Sequence, residues 1–241
     1  LHRLSRQVPA MNPPSSARNP PVHIVAIEGG IGVGKTTLMD ALRAQRPDLS
    51  FVYEPVELWG PLLAAMYKNE VSKDVFQLMV QSTLQAALLA ALRQGATRIV
   101  VERSPFSNKH VFAKANLEPG SWGSVAYNVA HRAFLDALPE GTRLDVIHLH
   151  ASPETLLKRI ERRGREAEEN AVSGDYLRGL EELHKRFLEN CPQISTSHTI
   201  DTSEMSPFHV CELAAARVEA LMPAPERERA AKRPRAQSGG P

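Results

Sequence analysis

Cysteine is scarce: Cys191 and Cys211 are the only two in 241 residues, and they form no C-x-x-C pair. Neither a zinc site nor a disulfide framework is therefore indicated, and a reducing compartment is the default. Long apolar runs are also missing. None reaches the roughly 18 residues of a bilayer span, so no membrane partner is expected. Net charge is nearly absent, with 29 basic against 27 acidic side chains and a formal balance of +2. That is too little for nucleic-acid binding by the chain as a whole. Residues 1–21 contain no acid but five prolines, a composition that cannot bury a core and that argues against an amphipathic targeting helix. Residues 223–241 are similarly poor in apolar side chains. Their Lys232-Arg233-Pro234-Arg235 reads either as a nuclear-import patch or as a plain solvated tail. The expected organisation is one domain over 22–222 between disordered tails at 1–21 and 223–241. The base-reading and switch motifs of a GTPase are lacking too. Asn108-Lys109 continues into His110-Val111 instead of completing N-K-x-D, and no D-x-x-G occurs.

What is present is a stretch of glycine: Gly29-Gly30-Ile31-Gly32-Val33-Gly34-Lys35-Thr36-Thr37 fits G-x-x-x-x-G-K-[ST]. Such a loop turns backbone N–H groups onto a phosphate chain, and glycine lets the backbone approach closely at positive φ. Lys35 supplies a mobile positive charge for the outer phosphates, and the Thr36 hydroxyl suits a Mg²⁺ ligand. The context agrees, with an apolar β-branched run (VHIVAIE) before the loop and a helical pattern (TTLMDALRAQR) after it.

Along the rest of the chain, strand patterns alternate with helical ones. Strands are expected at Val22–Glu28, Ser50–Glu54, Arg98–Glu102, Leu144–Leu149 and, briefly, His198–Asp201. Helices are expected from the loop to about Gln45, then at Leu58–Tyr67 and from Ser72 to a C-cap at Gly95. They resume over most of 104–138 with a break at Pro119-Gly120, and at Pro153–Gly164, Tyr176–Leu188 and Ser206–Leu221. The fold class is therefore α/β: a five-stranded parallel sheet flanked by helices in a three-layer phosphate-loop sandwich. Ligands of such sheets lie at the carboxyl ends of the strands. That rule brings Glu54, Glu102 and Arg103 to the phosphate loop.

Phosphoryl transfer needs neutralised charge and a positioned acceptor. Either Glu54 or Glu102 is a candidate to accept a hydroxyl proton while the other holds Mg²⁺, and Arg103 is a candidate to hold the acceptor or the moving phosphate. Arg159, Arg162, Arg163 and Arg165 fall within seven positions around Gly164. They suit a lid closing on a triphosphate, although the neighbouring glutamates also fit a solvated helical face.

These residues resemble the deoxyribonucleoside kinases, the family of deoxycytidine and deoxyguanosine kinases, mitochondrial thymidine kinase, the insect multisubstrate kinase and some viral thymidine kinases. The resemblance covers about Val22 to Asp201. It rests on IEGGIGVGKTT, EPVELW, Phe76-Gln77, ERSPFS, the arginine-rich lid and YLRGLEELHKRFL, in that order. Its proportions look most like the insect and mitochondrial thymidine-type members. The resemblance implies an ATP- and Mg²⁺-dependent kinase acting on a deoxynucleoside 5′-hydroxyl, and a homodimer with no nucleic-acid partner. It implies Glu54 as general base, Arg103 beside the hydroxyl and phosphate, and Glu102 with Thr36 at Mg²⁺. Gln77 would pair with the base edge, Phe112 would stack on the base and Trp59 would wall the pocket. Tyr67 and Glu169 would hold the 3′-hydroxyl. Arg163 and Arg165 would clamp phosphates, and Arg159 would lie near the adenine. The lid carries one residue more than many relatives, which leaves Glu168 as the alternative to Glu169.

Two positions that are charged in deoxycytidine kinase match Leu84 and Asn108 here. A lining of Val80, Leu84 and Asn108 leaves room for the 5-methyl of thymine, so a pyrimidine preference including thymidine is expected. The competing classes are a nucleoside monophosphate kinase of thymidylate kinase type, whose acceptor needs no base at Glu54, and a nucleic-acid-binding module led by the basic tail. The compartment stays open among cytoplasm, nucleus and mitochondrion.

Overall fold

The computed structural model describes residues 21–165 and 172–223. The expected tails, including the Lys232–Arg235 patch, and both candidate lid glutamates, Glu168 and Glu169, fall almost wholly outside the described residues.

Five parallel strands form one sheet: β1 (His23–Gly29), β2 (Ser50–Val52), β3 (Arg98–Glu102), β4 (Arg143–His150) and β5 (Ile194–Asp201). Their order is β2-β3-β1-β4-β5, so β1 is central and the loop that follows it opens between β3 and β4. Period-two alternation along β1 builds the two cores. Ile24 and Ala26 face a cluster with Leu88, Phe106, Phe134, Leu180 and Phe187, while Val25 and Ile27 face one with Leu38, Leu42, Leu156, Ile160 and Val218. A sheet covered on both faces gives the three layers expected.

The helices are α1 (Lys35–Gln45), α2 (Val56–Tyr67), α3 (Lys73–Arg93), α4 (Pro105–Ser107), α5 (Lys114–Asn116), α6 (Trp122–Ala137), α7 (Pro153–Arg163), α8 (Gly174–Asn190) and α9 (Pro207–Leu221). A π-helical stretch, Asn108–Ala113, joins α4 to α5. Serines start many of them. The hydroxyls of Ser72, Ser104, Ser121, Ser152, Ser173 and Ser206 each accept the backbone N–H three residues on. Proline follows three of those serines in the first turn, where its missing N–H costs nothing.

Three elements differ from the sequence expectation. Strand β2 stops at Val52, so Glu54 sits in the loop before α2. Strand β5 begins at Ile194, four residues early, because its exposed Ser195–Ser197 stretch carries no apolar pattern at the sheet edge. Helix α3 is, by length and composition, apolar enough to cross a bilayer, with a mean hydropathy of 1.5, although the sequence reading found no such run. It packs between α2 and α6 beside the sheet, and its apolar side chains Val80, Leu84 and Leu88 are buried there.

Candidate active site

The site grows from the carboxyl ends of β1, β2 and β3. After β1 the backbone takes positive φ at Gly29 (138°), Gly32 (81°) and Gly34 (102°). At Gly29 nothing larger fits, since a Cβ would lie 2.3 Å from the Leu149 carbonyl oxygen. The loop therefore curls over the start of α1, whose free N–H groups point to the position a phosphate takes. Lys35 Nζ donates back to the carbonyls of Gly29 (3.3 Å) and Gly30 (3.1 Å). Burial, and then the Arg103 charge, lower the Lys35 ammonium from the usual lysine range to about 8. Thr36 Oγ1 donates to Glu102 Oε1 at 2.5 Å, which sets a hydroxyl and a carboxylate side by side beneath the loop. Two hard oxygen donors of this kind fit Mg²⁺.

Arg103 follows β3 in the left-handed region at φ 57°, an uncommon conformation for a non-glycine residue, and its N–H prolongs the ladder to the Ile27 carbonyl at 3.1 Å. The turn is held from below by Glu28, whose fully buried carboxylate accepts the Ser104 N–H at 2.8 Å. Burial raises the Glu28 carboxyl above the usual range, against the lowering pull of the Ser104 and Ser107 hydroxyls and Arg103. The turn aims the Arg103 guanidinium so that Nε donates to Glu54 Oε1 at 2.5 Å, while its carbon lies 3.8 Å from the Phe112 ring centre. Arg103 Nη1 is buried and has no hydrogen-bond partner among the described residues. Gln77 Oε1, on α3, is likewise buried and unpaired.

One cleft of about 1410 Å³ collects these groups. That exceeds the roughly 300–1,000 Å³ of a single small-molecule site and leaves room for two ligands. Ile31 through Thr37 line it, with Glu54, Trp59, Tyr67, Gln77, Val80, Glu102, Arg103, Asn108, Phe112, Arg159, Arg163 and Arg165. Gly29 and Gly30 lie behind the loop and meet Lys35 through their carbonyls. Trp59 is fixed by its indole N–H to Thr83 Oγ1 at 2.9 Å. Arg159 grips Thr202, donating to Oγ1 at 3.0 Å and to the carbonyl at 2.7 Å, beside the phosphate loop. Arg162 also lines the cleft.

Two of the base-pocket residues are placed differently from the expectation. Leu84 does not line the cleft, because it points into the small core of Trp59, Met66, Phe76 and Val80, one layer behind it. Asn108 lines the cleft, but its amide nitrogen donates to Gln81 Oε1 (3.1 Å) and to the Tyr127 hydroxyl (2.8 Å). Gln81 in turn meets His131 Nδ1 at 2.9 Å, closing a buried polar network behind the pocket. Sequence reasoning missed this network, and it missed Glu28, a buried acid on a strand read as wholly apolar. It also missed Asn116, Tyr176 and the Met205–Cys211 region, which complete the cleft walls. Charge within a strand could have revealed Glu28, and Tyr176 opens the YLRGLEELHKRFL stretch; the others carry no sequence signal.

Fold and cleft together define a phosphate-loop α/β phosphotransferase architecture, with one cleft at the carboxyl end of the sheet that is large enough for two ligands. The comparisons with known proteins narrow it. The deoxynucleoside kinase family model matches residues 25–218, and the chain belongs to that family. It is 32% identical to the probable deoxycytidine kinase of Fowlpox virus (strain NVSL) over 68% of this chain and 71% of that one. It is 28% identical to the deoxycytidine kinase of Rattus norvegicus, over 73% and 79% of the two chains. It is 26% identical to the mitochondrial deoxyguanosine kinase of Xenopus laevis, over 72% and 76%. These relatives carry the names of deoxycytidine and deoxyguanosine kinases, not of the thymidine-type members that the sequence proportions suggested.

Proposed function

We propose that this deoxynucleoside kinase transfers the γ-phosphoryl group of ATP to the 5′-hydroxyl of a deoxyribonucleoside, with thymidine and other pyrimidine deoxynucleosides preferred. The observation that carries the reading is the pair of buried polar atoms without a partner among the described residues, Gln77 Oε1 and Arg103 Nη1, in the cleft that faces the phosphate loop. Buried polar groups without partners are rare, and these two ask for a donor and an anion respectively. A base edge supplies the first and a transferring phosphoryl group the second.

In the reaction, Glu54 takes the 5′-hydroxyl proton as the oxygen bonds to the γ-phosphorus and the bond to the ADP oxygen breaks. Arg103, already paired with Glu54, holds the hydroxyl end and receives the charge of the moving group. Lys35 leaves its two loop carbonyls for the β- and γ-phosphates. Thr36 and Glu102 are the residues that would hold Mg²⁺, which neutralises phosphate oxygens when bound. Arg163 and Arg165 carry cationic charge to the outer phosphates from the end of α7.

The pyrimidine preference rests on Val80, an apolar wall, and on Asn108, an uncharged amide already engaged by Gln81 and Tyr127. Neither presents a charge to a base amino group. The test is phosphorylation of thymidine, deoxycytidine, deoxyadenosine, deoxyguanosine and thymidine monophosphate with ATP and Mg²⁺. Thymidine well ahead is the expected result. Deoxycytidine or deoxyguanosine ahead overturns the preference while keeping the acceptor class, and activity confined to the monophosphate overturns the acceptor.

We also propose that the working form is a homodimer joined through α6. Trp122, Val125 and Val129 recur on one face of that helix and are exposed, Trp122 at 88%. Such an apolar stripe is costly to leave in water.

A further inference from the structure

Behind the nucleoside compartment, β4 and α8 bring three side chains together that the kinase reaction does not use. Potential ligand atoms of His148, Glu181 and His184 all lie within 4.8 Å of one another. Both histidines are buried, His148 at 1% and His184 at 0% exposure. Both nitrogens of His148 and Nε2 of His184 have no hydrogen-bond partner among the described residues. Three unpaired buried nitrogens in one spot is an unusual density of unmet polar groups.

The local geometry says what would meet them. His184 Nδ1 lies 2.8 Å from the Leu180 carbonyl, to which only a protonated nitrogen can bond. That contact fixes the tautomer and leaves a lone pair on Nε2, the arrangement found in metal-ligating histidines. The two imidazoles lie with ring centres 5.2 Å apart and planes 29° from parallel. Two imidazoles on one tetrahedral zinc, with bonds of about 2.0–2.1 Å, place their ring centres about 5 Å apart. His148 Nε2 and Glu181 Oε2 are 3.9 Å apart, too long for a hydrogen bond and near the roughly 3.3 Å edge of such a tetrahedron. Glu181 is partly exposed, so its carboxylate has room to close the gap. Its other oxygen meets His150 Nδ1 at 2.9 Å, an outer contact that orients the ligand.

We propose that His148, Glu181 and His184 form a binding site for a zinc-type divalent cation, separate from the Mg²⁺ position at Thr36 and Glu102, with His150 as its outer support. Two imidazoles and one carboxylate select zinc over the hard cations Mg²⁺ and Ca²⁺. The ion would pin α8 to β4. Helix α8 carries Tyr176 into the cleft wall, and the His184 and Phe112 rings pack edge to face with centres 5.8 Å apart, so the pin fixes the floor of the base compartment. The sequence indicated no zinc site because it holds no cysteine pair; a centre of two histidines and a carboxylate needs none.

The test uses the untagged full chain, stripped with a chelator and titrated with Zn²⁺ in millimolar Mg²⁺. One equivalent bound at micromolar or tighter affinity is expected, with a rise of several degrees in the thermal midpoint. Co²⁺ in its place should give visible d–d bands without near-ultraviolet thiolate charge-transfer bands. Glu181→Gln, at a partly exposed position and checked for folding by circular dichroism, should weaken Zn²⁺ at least about tenfold. His150→Gln should weaken it by about 10- to 100-fold, as loss of an outer-shell partner does. Failure to bind an equivalent, unchanged affinity in a folded Glu181→Gln protein, or a cobalt spectrum with thiolate bands would each overturn the site.

Discussion

Glu54 and Arg103 meet at 2.5 Å although 49 positions separate them, and each stands just past the end of a strand. The pairing holds the Glu54 carboxylate at the acceptor end of the cleft. Glu54→Gln keeps its shape and removes the proton acceptor, so kcat should fall by about 10²–10⁴. Nucleoside affinity, read by titration calorimetry, should stay within a few-fold. Nearly unchanged turnover with substrate bound would remove Glu54 from the base role. Lys35 sets a pH limit. Its ammonium is lowered to about 8 in the free protein by burial and by Arg103, so the cation is present below that pH and lost above it. A bound triphosphate favours the cation and draws the value back up. The kcat/KM for ATP at saturating nucleoside should therefore decline as pH rises through about 8, while kcat declines only at higher pH. Coincident profiles would place the titrating group elsewhere. At this scale the sequence told where residues would gather, since Lys35, Thr36 and Glu54 line one cleft as expected. It was not legible where meaning comes from neighbours. Asn108 reads only as an uncharged pocket residue until Gln81 and Tyr127 are seen to hold it.

Among the elements, the loop after β1 is the most constrained. A Cβ at Gly29 meets the Leu149 carbonyl at 2.3 Å and φ is 138°, whereas at Gly34 nothing lies within 4 Å and only the positive φ of 102° is a penalty. Gly34→Ala should cost about 1 kcal/mol, the usual left-handed penalty. Gly29→Ala should cost more than about 3 kcal/mol, because β4 or the loop must move as well. Urea denaturation of both variants checks the order, and equal losses would mean that the loop absorbs the clash. The π-helical stretch Asn108–Ala113 had no sequence signature. It lets one short segment send Asn108 into the α3–α6 network and Phe112 against Arg103 and His184.

At the scale of the whole molecule, the proposed dimer rests on the exposed apolar face of α6. Light scattering should give a dimer mass for the wild type, and Val129→Glu should shift it toward monomer without loss of secondary structure. A monomeric wild type would leave the Trp122 stripe without its proposed partner. The alternation of apolar runs with helical patterns determined the parallel sheet by itself, because a strand apolar on both faces is stable only between two layers of helices. Spacing around the glycines determined the phosphate loop, because few other chemistries need G-x-x-x-x-G-K-[ST] between a strand and a helix. The order β2-β3-β1-β4-β5 was decided only in three dimensions, as were the turn of Leu84 away from the cleft and the meeting of His148 with Glu181 and His184. Each of these depends on which strand lies beside which and on how far a helix is rotated. Those are properties of packing between distant segments, and local sequence does not carry them.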